Sequence, residues 1–327
     1  MNFNGFAGNE KIKQQLIYLA ETGRLPHAIV LEGEEGLGKR TLARELALNL
    51  FCTASENKPC RSCPQCVKVL KGIHPDIYEF TATGAVNSFP VAEVRNIVED
   101  AVIRPNEADY KIYILGNCHS MSDYAQNALL KVLEEPPSYA VFILTVENKS
   151  ALLETVLSRS VVISLQGVTA KEGAAYITSH NEEIDYDDAY TALEIWGGNI
   201  GKALESLTDG KLSKISGAVG DVASALLMDN EYELIKACTV FSGDRDMIIA
   251  SMARLKSVFR DALFYESGEL VSGFQDTAKK LSSRLSKEML CNLIDSCERL
   301  KALAAGYANN NLLITKIPYE LRRSIGK

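Results

Sequence analysis

Residues 29 to 39 read Ile29-Val30-Leu31-Glu32-Gly33-Glu34-Glu35-Gly36-Leu37-Gly38-Lys39, an apolar run that empties into a glycine-rich loop ending in lysine. The glycine spacing and the lysine are those of a Walker A phosphate-binding loop. A helical pattern from Thr41 to Phe51 follows, which is the context that motif demands. Glycines let backbone N–H groups approach a phosphate closely, and the helix N-terminus adds a favourable partial charge. A plain Gly-rich turn is the bland account; placement after a strand, with Lys39 in register, favours descent from a nucleotide site. The next residue is Arg40, where a magnesium-binding Ser or Thr belongs, and the strand that should end in acidic residues reads Ile112-Tyr113-Ile114-Leu115-Gly116-Asn117. Without the hydroxyl and the acid, magnesium has no hold against the β- and γ-phosphates, and the transition state has little stabilisation. The pattern predicts a chain built like an ATPase that does not hydrolyse ATP. Nucleotide binding stays open: Gly33, Gly36, Gly38, Lys39 and Thr41 could hold a diphosphate without metal, while Glu34 and Glu35 repel one.

Outward from the loop, residues 1 to about 166 alternate short apolar runs with amphipathic stretches, the signature of a parallel α/β sheet wrapped in helices. The runs are Ile29 to Leu31, Ile77 to Phe80, Ile112 to Leu115, Val141 to Leu144 and Val161 to Leu165. Between the third and fourth, Ala125, Ala128, Leu129, Val132 and Leu133 fall on one helical stripe that Pro136-Pro137 ends. Beyond Gly167 only helical patterns continue, broken by polar turns such as Asp209-Gly210 and Ser242-Gly243. The expected division is a nucleotide-binding-like domain (1–166, with an insert at 52–66), a small helical domain (167–207) and a larger helical domain (208–327). No internal repeat or low-complexity tract is visible.

The composition is that of an ordinary globular protein: 327 residues, 46% hydrophobic and 24% charged. Met1 to Leu16 contains no apolar core of the kind a secretory signal needs, and no stretch approaches the roughly 18 apolar residues of a membrane span. A cytoplasmic protein is expected. A net charge of −7 argues against an autonomous, high-affinity nucleic-acid binder, because such binding rests on Lys and Arg neutralising phosphates. Local basic patches stay open.

Cys52, Cys60, Cys63 and Cys66 are spaced C-x7-C-x2-C-x2-C. Four thiolates that a short loop can bring to one point suit a tetrahedral structural zinc, and the small insert so formed gains its stability from the metal. Unrelated buried thiols are hard to reconcile with three cysteines so close together in a polar, Pro-containing stretch. An iron–sulfur cluster is the sharper competitor, but the expected nearby cysteine followed by proline is absent. His74 could displace one thiolate; in His74-Pro75-Asp76 it is expected instead to shape the turn before the next strand. Cys118, Cys238, Cys291 and Cys297 have no partner spacing and read as helix or core residues.

In order, the chain carries Arg24-Leu25-Pro26-His27-Ala28 ahead of the loop, the four-cysteine insert, His74-Pro75-Asp76, Asn127-Ala128-Leu129-Leu130-Lys131 running into Leu133-Glu134-Glu135-Pro136-Pro137, and Ser158-Arg159-Ser160. On these motifs it resembles the bacterial clamp-loader AAA+ subunits of DNA polymerase III over residues 1 to about 166, and faintly beyond. The resemblance implies an AAA+ P-loop sheet with a zinc insert, a helical lid and an all-helical collar that assembles a hetero-oligomeric ring. Asn309-Asn310-Asn311 weakly resembles an Asn-Ala-Asn stretch of such collars.

The gamma/tau motor subunits of that family carry an intact loop ending Lys-Thr or Lys-Ser and a strand ending Asp-Glu. Here those places hold Lys39-Arg40 and Gly116-Asn117, Val146 stands where a polar sensor is expected, and Gly201 stands where the lid usually supplies an arginine. These departures point to the delta prime branch, the stationary and non-hydrolysing member of the ring. The resemblance implies that Arg159, with Ser160 in place of the family's cysteine, is an arginine finger acting on a neighbouring subunit's ATP. It also implies gamma/tau subunits, the delta subunit, the sliding clamp and primer-template DNA as partners, within a holoenzyme that is a DNA-directed DNA polymerase. Two readings stand beside it: an active motor subunit with divergent motifs, and a zinc-stabilised scaffold unrelated to replication.

Overall fold

The five apolar runs are the five strands of one parallel sheet, ordered β2-β3-β4-β1-β5. The computed structural model describes residues 1–326 except 84, 87, 229, 242–243, 267–269, 271 and 307–308, and Asn310 by its backbone alone. The turn expected at Ser242-Gly243 therefore lies outside the described residues. The chain divides into two compact units, Met1–Gly173 with Asn199–Gly201, and Ala174–Gly198 with Lys202–Lys327.

In the first unit the elements run α1 (Glu10–Glu21), β1 (Ala28–Glu32), α2 (Lys39–Phe51), α3 (Pro64–Leu70), β2 (Ile77–Thr81), α4 (Val91–Ala101), β3 (Lys111–Gly116), α5 (Asp123–Glu134), β4 (Ala140–Val146), α6 (Glu154–Leu157) and β5 (Val161–Ser164). β3 and β4 are buried along their whole length, which is why they read as continuous apolar runs and not as alternating strands. Val30, Tyr113, Leu115, Phe142 and Leu144 face α4 and α5, with the Tyr113 and Phe142 rings stacked 4.9 Å apart. Ile29, Leu31, Ile112, Ile114 and Ile143 face α2 through Leu42 and Leu46. Fully burying each such side chain contributes about 1.5–3 kcal/mol. α5 buries Ala125, Leu129, Val132 and Leu133 as its stripe requires, and Ser122 caps it by accepting from Ala125 N.

β1 lies between β4 and β5, so the chain leaving β1 must cross to β2 at the far edge. In parallel sheets such a reversal of strand order opens a crevice at the carboxyl ends of the strands. The loop at Gly33 begins there.

Among the described residues the second unit is wholly helical: α7 (Ala170–His180) from residue 174 on, α8 (Tyr186–Ile195), α9 (Ile200–Thr208) from residue 202 on, α10 (Lys211–Leu226), α11 (Glu231–Cys238), α12 (Arg245–Leu263), α13 (Gln275–Arg284), α14 (Lys287–Ala305) and α15 (Asn310–Ser324). α12 is its axis, burying Met247, Ile248, Leu255, Val258 and Phe259 against α10, α13 and α14. The buried Arg322 guanidinium of α15 donates to the carbonyls of Ala225, Leu226, Met228 and Asn230, covering the otherwise open C-terminal end of α10. None of the described helices is long and apolar enough to cross a membrane.

Candidate functional site

Gly36 and Gly38 take φ of 89° and 80°, backbone that a side chain disfavours, and a Cβ on Gly38 would lie 2.9 Å from the Phe6 ring. The loop therefore holds its expected shape between β1 and α2, with Gly33 at its start and Thr41 exposed on the first turn of α2. Lys39 turns back into it. Its ammonium donates to the Gly33 carbonyl and, at 2.7 Å, to that of Glu34. Burial lowers the ammonium below the ordinary lysine value, against the pull of Glu147, Glu35 and Glu34. Glu147, Glu35 and Glu34 are carboxylates near the ammonium, and like charge there works against a polyphosphate.

The next two carbonyls are held by the segment 199–201. Asn199 Nδ2 donates to Glu35 O at 2.7 Å and Gly201 N to Gly36 O at 3.0 Å. A Cβ on Gly201 would sit 2.5 Å from Gly36 Cα, so only glycine permits this approach. The sequence marked Gly201 as a missing arginine; the structure shows what the glycine does instead. Four successive loop carbonyls, 33 to 36, are thus each tied to a donor.

Arg40 does not face the loop. It donates through Nε and Nη2 to Glu79 Oε1 on β2, at 2.8 and 2.5 Å, while Arg44 one turn later takes Glu79 Oε2 at 2.9 and 2.8 Å. Burial pushes the Glu79 carboxyl up, and the bonds from the two guanidiniums outweigh it and hold the group below the usual carboxylate range. At the end of β3, Gly116 lies flush against β2: a Cβ there would be 2.4 Å from Thr81 Oγ1. Asn117 adopts a left-handed conformation (φ 58°) and donates through Nδ2 to Ala82 O at 2.9 Å, while its N–H bonds Thr145 Oγ1 at 3.2 Å. Val146 is fully buried. The positions that would carry catalytic acids are occupied by packing and by strand-end bonds.

The structure brings the four cysteines together, with all Sγ atoms within 4.8 Å of one another. A tetrahedral ion with bonds of about 2.3 Å sets its sulfurs roughly 3.8 Å apart, so the cluster could hold a metal. Cys52 ends α2, Cys63 caps the N-terminus of α3 ahead of Pro64, and Cys66 lies within α3. Backbone N–H groups point at the sulfurs: Cys60 N to Cys52, Cys63 N to Cys60, Cys66 N to Cys63, at 3.2 to 3.5 Å. Burial opposes ionisation of Cys63, but N–H groups of Cys66 and Thr53 prevail and lower its thiol to about 6; bonds from Ser62 and Cys63 lower Cys60, whereas burial raises Cys66. Arg61, itself left-handed (φ 57°), ties the insert to α2 through the buried Glu45 at 2.6 and 2.8 Å. His74 is no part of this cluster. Its Nε2 bonds Gln65 Oε1 at 2.8 Å, its Nδ1 accepts from Asp76 N, and its ring stacks on Phe51, shaping the turn into β2 as expected.

Asp76 is fully buried and accepts four bonds, from the N–H groups of Asn106, Glu107 and Ala108 and from Asn106 Nδ2. Burial raises its carboxyl, and these bonds overcome that and leave it below the ordinary aspartate value. A group whose folded-state pKa is depressed contributes stability that is complete above the unfolded pKa, about 3.9, and lost as pH falls through the folded one. Asp76→Asn should lower stability at pH 7 by about 2–3 kcal/mol, and the gap from wild type should close as acid protonates the native carboxyl. Melting curves that keep the same separation from pH 7 down to pH 3 (roughly a unit below the unfolded value) would rule this out.

Arg159 follows α6 and precedes β5. Its Nη1 donates to Thr155 O at 3.0 Å and Ser158 Oγ at 3.2 Å, and its Nη2 pairs with Glu134 Oε1 at 2.8 Å. The buried Gln126 fixes α6 to α5, accepting from Leu153 N at 2.7 Å and donating to Ala151 O. Sequence reasoning gave no role to Glu79, Thr81 or Gln126; Glu134 was visible only as part of a motif. β5 runs parallel to β1 with Val161 beside Ile29 and Ser164 beside Glu32. Arg159 therefore lies at the start of the strands and the Gly33 loop at their ends, a strand's length of roughly 13 Å away.

The family described as DNA polymerase III, delta subunit, matches residues 8–169. The chain is 34% identical over 188 residues to DNA polymerase III subunit gamma of Buchnera aphidicola subsp. Baizongia pistaciae, covering 57% of this chain and 50% of that protein. It is 27% identical over 274 residues to subunit tau of Escherichia coli, covering 81% of this chain and 42% of that one. With subunit delta' of Bacillus subtilis the identity is 32% over 161 residues, covering 49% and 48%. The chain spans about half the length of the curated relatives it matches. From the loop after β1, the order of the strands and these matches, residues 8–169 of the chain belong to the clamp-loader family of DNA polymerase III subunits.

Proposed function

We propose that the chain is a non-hydrolysing, delta prime-type subunit of the DNA polymerase III clamp loader, helping to place the sliding clamp on primed DNA and supplying Arg159 to a neighbouring subunit's ATP site. The observation that carries this reading is the placement of Arg159 at the opposite end of the sheet from its own loop. An arginine so placed has no route to a phosphate held by the same chain and suits one held by another. A delocalised cation with several donors is what stabilises charge spreading over a transferring phosphoryl group. The four cysteines hold one structural zinc, whose tetrahedral thiolate binding stabilises the insert. Residues 1–166, 167–207 and 208–327 serve as AAA+ module, lid and collar. Gamma/tau and delta subunits, the clamp and primer-template DNA are the partners, in the cytoplasm. Co-purification of the chain with a motor subunit is the primary test, and failure to join such a ring sinks the reading.

The purified chain is expected to hydrolyse ATP no faster than background, and Arg40→Thr should not rescue it. The substitution would restore the hydroxyl, but magnesium would still lack an acid at Gly116, and Glu79 on β2 would stay paired with Arg44. Metal-dependent turnover that disappears in Lys39→Ala would show a working site.

A further inference from the structure

α5 stops at Glu134 because Pro136-Pro137 follows and Glu135 is forced out of helical backbone. Glu134 thus places a carboxylate in the last turn of a helix, where the carbonyl ends of the macrodipole disfavour negative charge. Its partner is Arg159, 2.8 Å away on a different element. The geometry around that guanidinium gives the pairing a purpose. A guanidinium has five N–H groups, and here Thr155 O and Ser158 Oγ, both within four residues of the arginine, accept from Nη1. Among the described contacts, Glu134 alone engages Nη2, and it anchors the guanidinium to a different element. Glu134 stands on a rigid helix whose register to α6 is set by the buried Gln126.

We propose that Glu134 is a positioning residue for Arg159, fixing the guanidinium plane so that its remaining N–H groups face an acceptor supplied by the neighbouring subunit. This rests on the reading of Arg159 as a residue that serves a neighbour's ATP. It also accounts for the Leu133-Glu134-Glu135-Pro136-Pro137 stretch, whose prolines end the helix where the carboxylate meets the arginine. The pair is half exposed, with side-chain exposures of 36% and 51%, so its contribution to folding is small. Misplacement of a reacting group, by contrast, is felt strongly in rate.

The test uses rings reconstituted from full-length subunits with wild-type chain, Glu134→Gln, Arg159→Ala and the double variant, with ATP as the probe. Glu134→Gln should lower kcat at the adjoining site about tenfold, leave KM for ATP and the subunit's melting temperature unchanged, and have no further effect once Arg159 is alanine. An unchanged kcat in Glu134→Gln, beside a clear loss in Arg159→Ala, overturns the positioning role and leaves the arginine's role standing. Equal losses in both backgrounds, or a raised KM with kcat intact, also overturn it. If Arg159→Ala changes nothing, the reading of Arg159 fails first and this inference goes with it.

Discussion

Arg159→Ala is expected to abolish hydrolysis at the one ATP site it adjoins while leaving folding, metal content and ring assembly intact. Arginine fingers are worth roughly 10³ to 10⁵ in rate, or about 4–7 kcal/mol of transition-state stabilisation. The same side chain contributes little to its own chain. Its ion pair with Glu134 is solvent-exposed, and its other partners are one carbonyl and one hydroxyl of the adjoining turn. On the proposed function, total ring activity need not vanish, because only the adjoining site would lose its arginine, and clamp loading should suffer more than bulk hydrolysis if the sites fire in a coupled order. Rings rebuilt with the variant, assayed for single-site hydrolysis, loading and assembly, decide the matter. Unchanged loading in fully assembled rings would make the arginine a bystander and the subunit architecture alone.

If the four cysteines hold a zinc as proposed, its removal should have the largest effect on structure. Apparent binding free energies for structural zinc reach about 10–16 kcal/mol in small peptides, so one zinc per chain should resist mild chelation. Cys63→Ser should release it. Cys63 also caps α3, and Cys52 and Cys66 are buried in the same core as Phe51 and Val69, so the damage should include the insert and the seat of α3 on α2 while the rest of the sheet persists. Because the ligands must be thiolates, metal retention should fall in acid as they protonate. Elemental analysis and hydrogen exchange over residues 52–70 read this out. Metal-free protein with an unchanged exchange pattern, or a visible charge-transfer band, would remove zinc from the account.

β1, β3 and β4 were legible because strands buried on both faces have no choice but to be continuously apolar, the half-buried edge strands β2 and β5 through shorter apolar runs, and α5 because its stripe is a periodicity within one segment. The cysteine cluster was legible for a similar reason: its ligands lie in a stretch short enough that spacing limits geometry. What could not be read was the fate of the lost positions. Arg40 meets Glu79 across 39 residues and Asn199 meets Glu35 across 164, and no local pattern encodes a contact at that range. The sequence therefore registered Gly201 and Gly116 as deletions of function, whereas the fold uses both as surfaces of close approach. Glu134 was visible within a motif, but its meaning depends on where Arg159 lies in space.

The fit of Gly116 against Thr81 has a consequence for substitution. An aspartate at 116 would bring its Cβ to 2.4 Å from Thr81 Oγ1, so Gly116→Asp would force Thr81 to shift. Shrinking Thr81 first opens a gap between two paired strands while nothing yet fills it. Either single substitution is expected to weaken the chain, so positions 81 and 116 are coupled: an acidic residue at the end of β3 requires a matching change on β2.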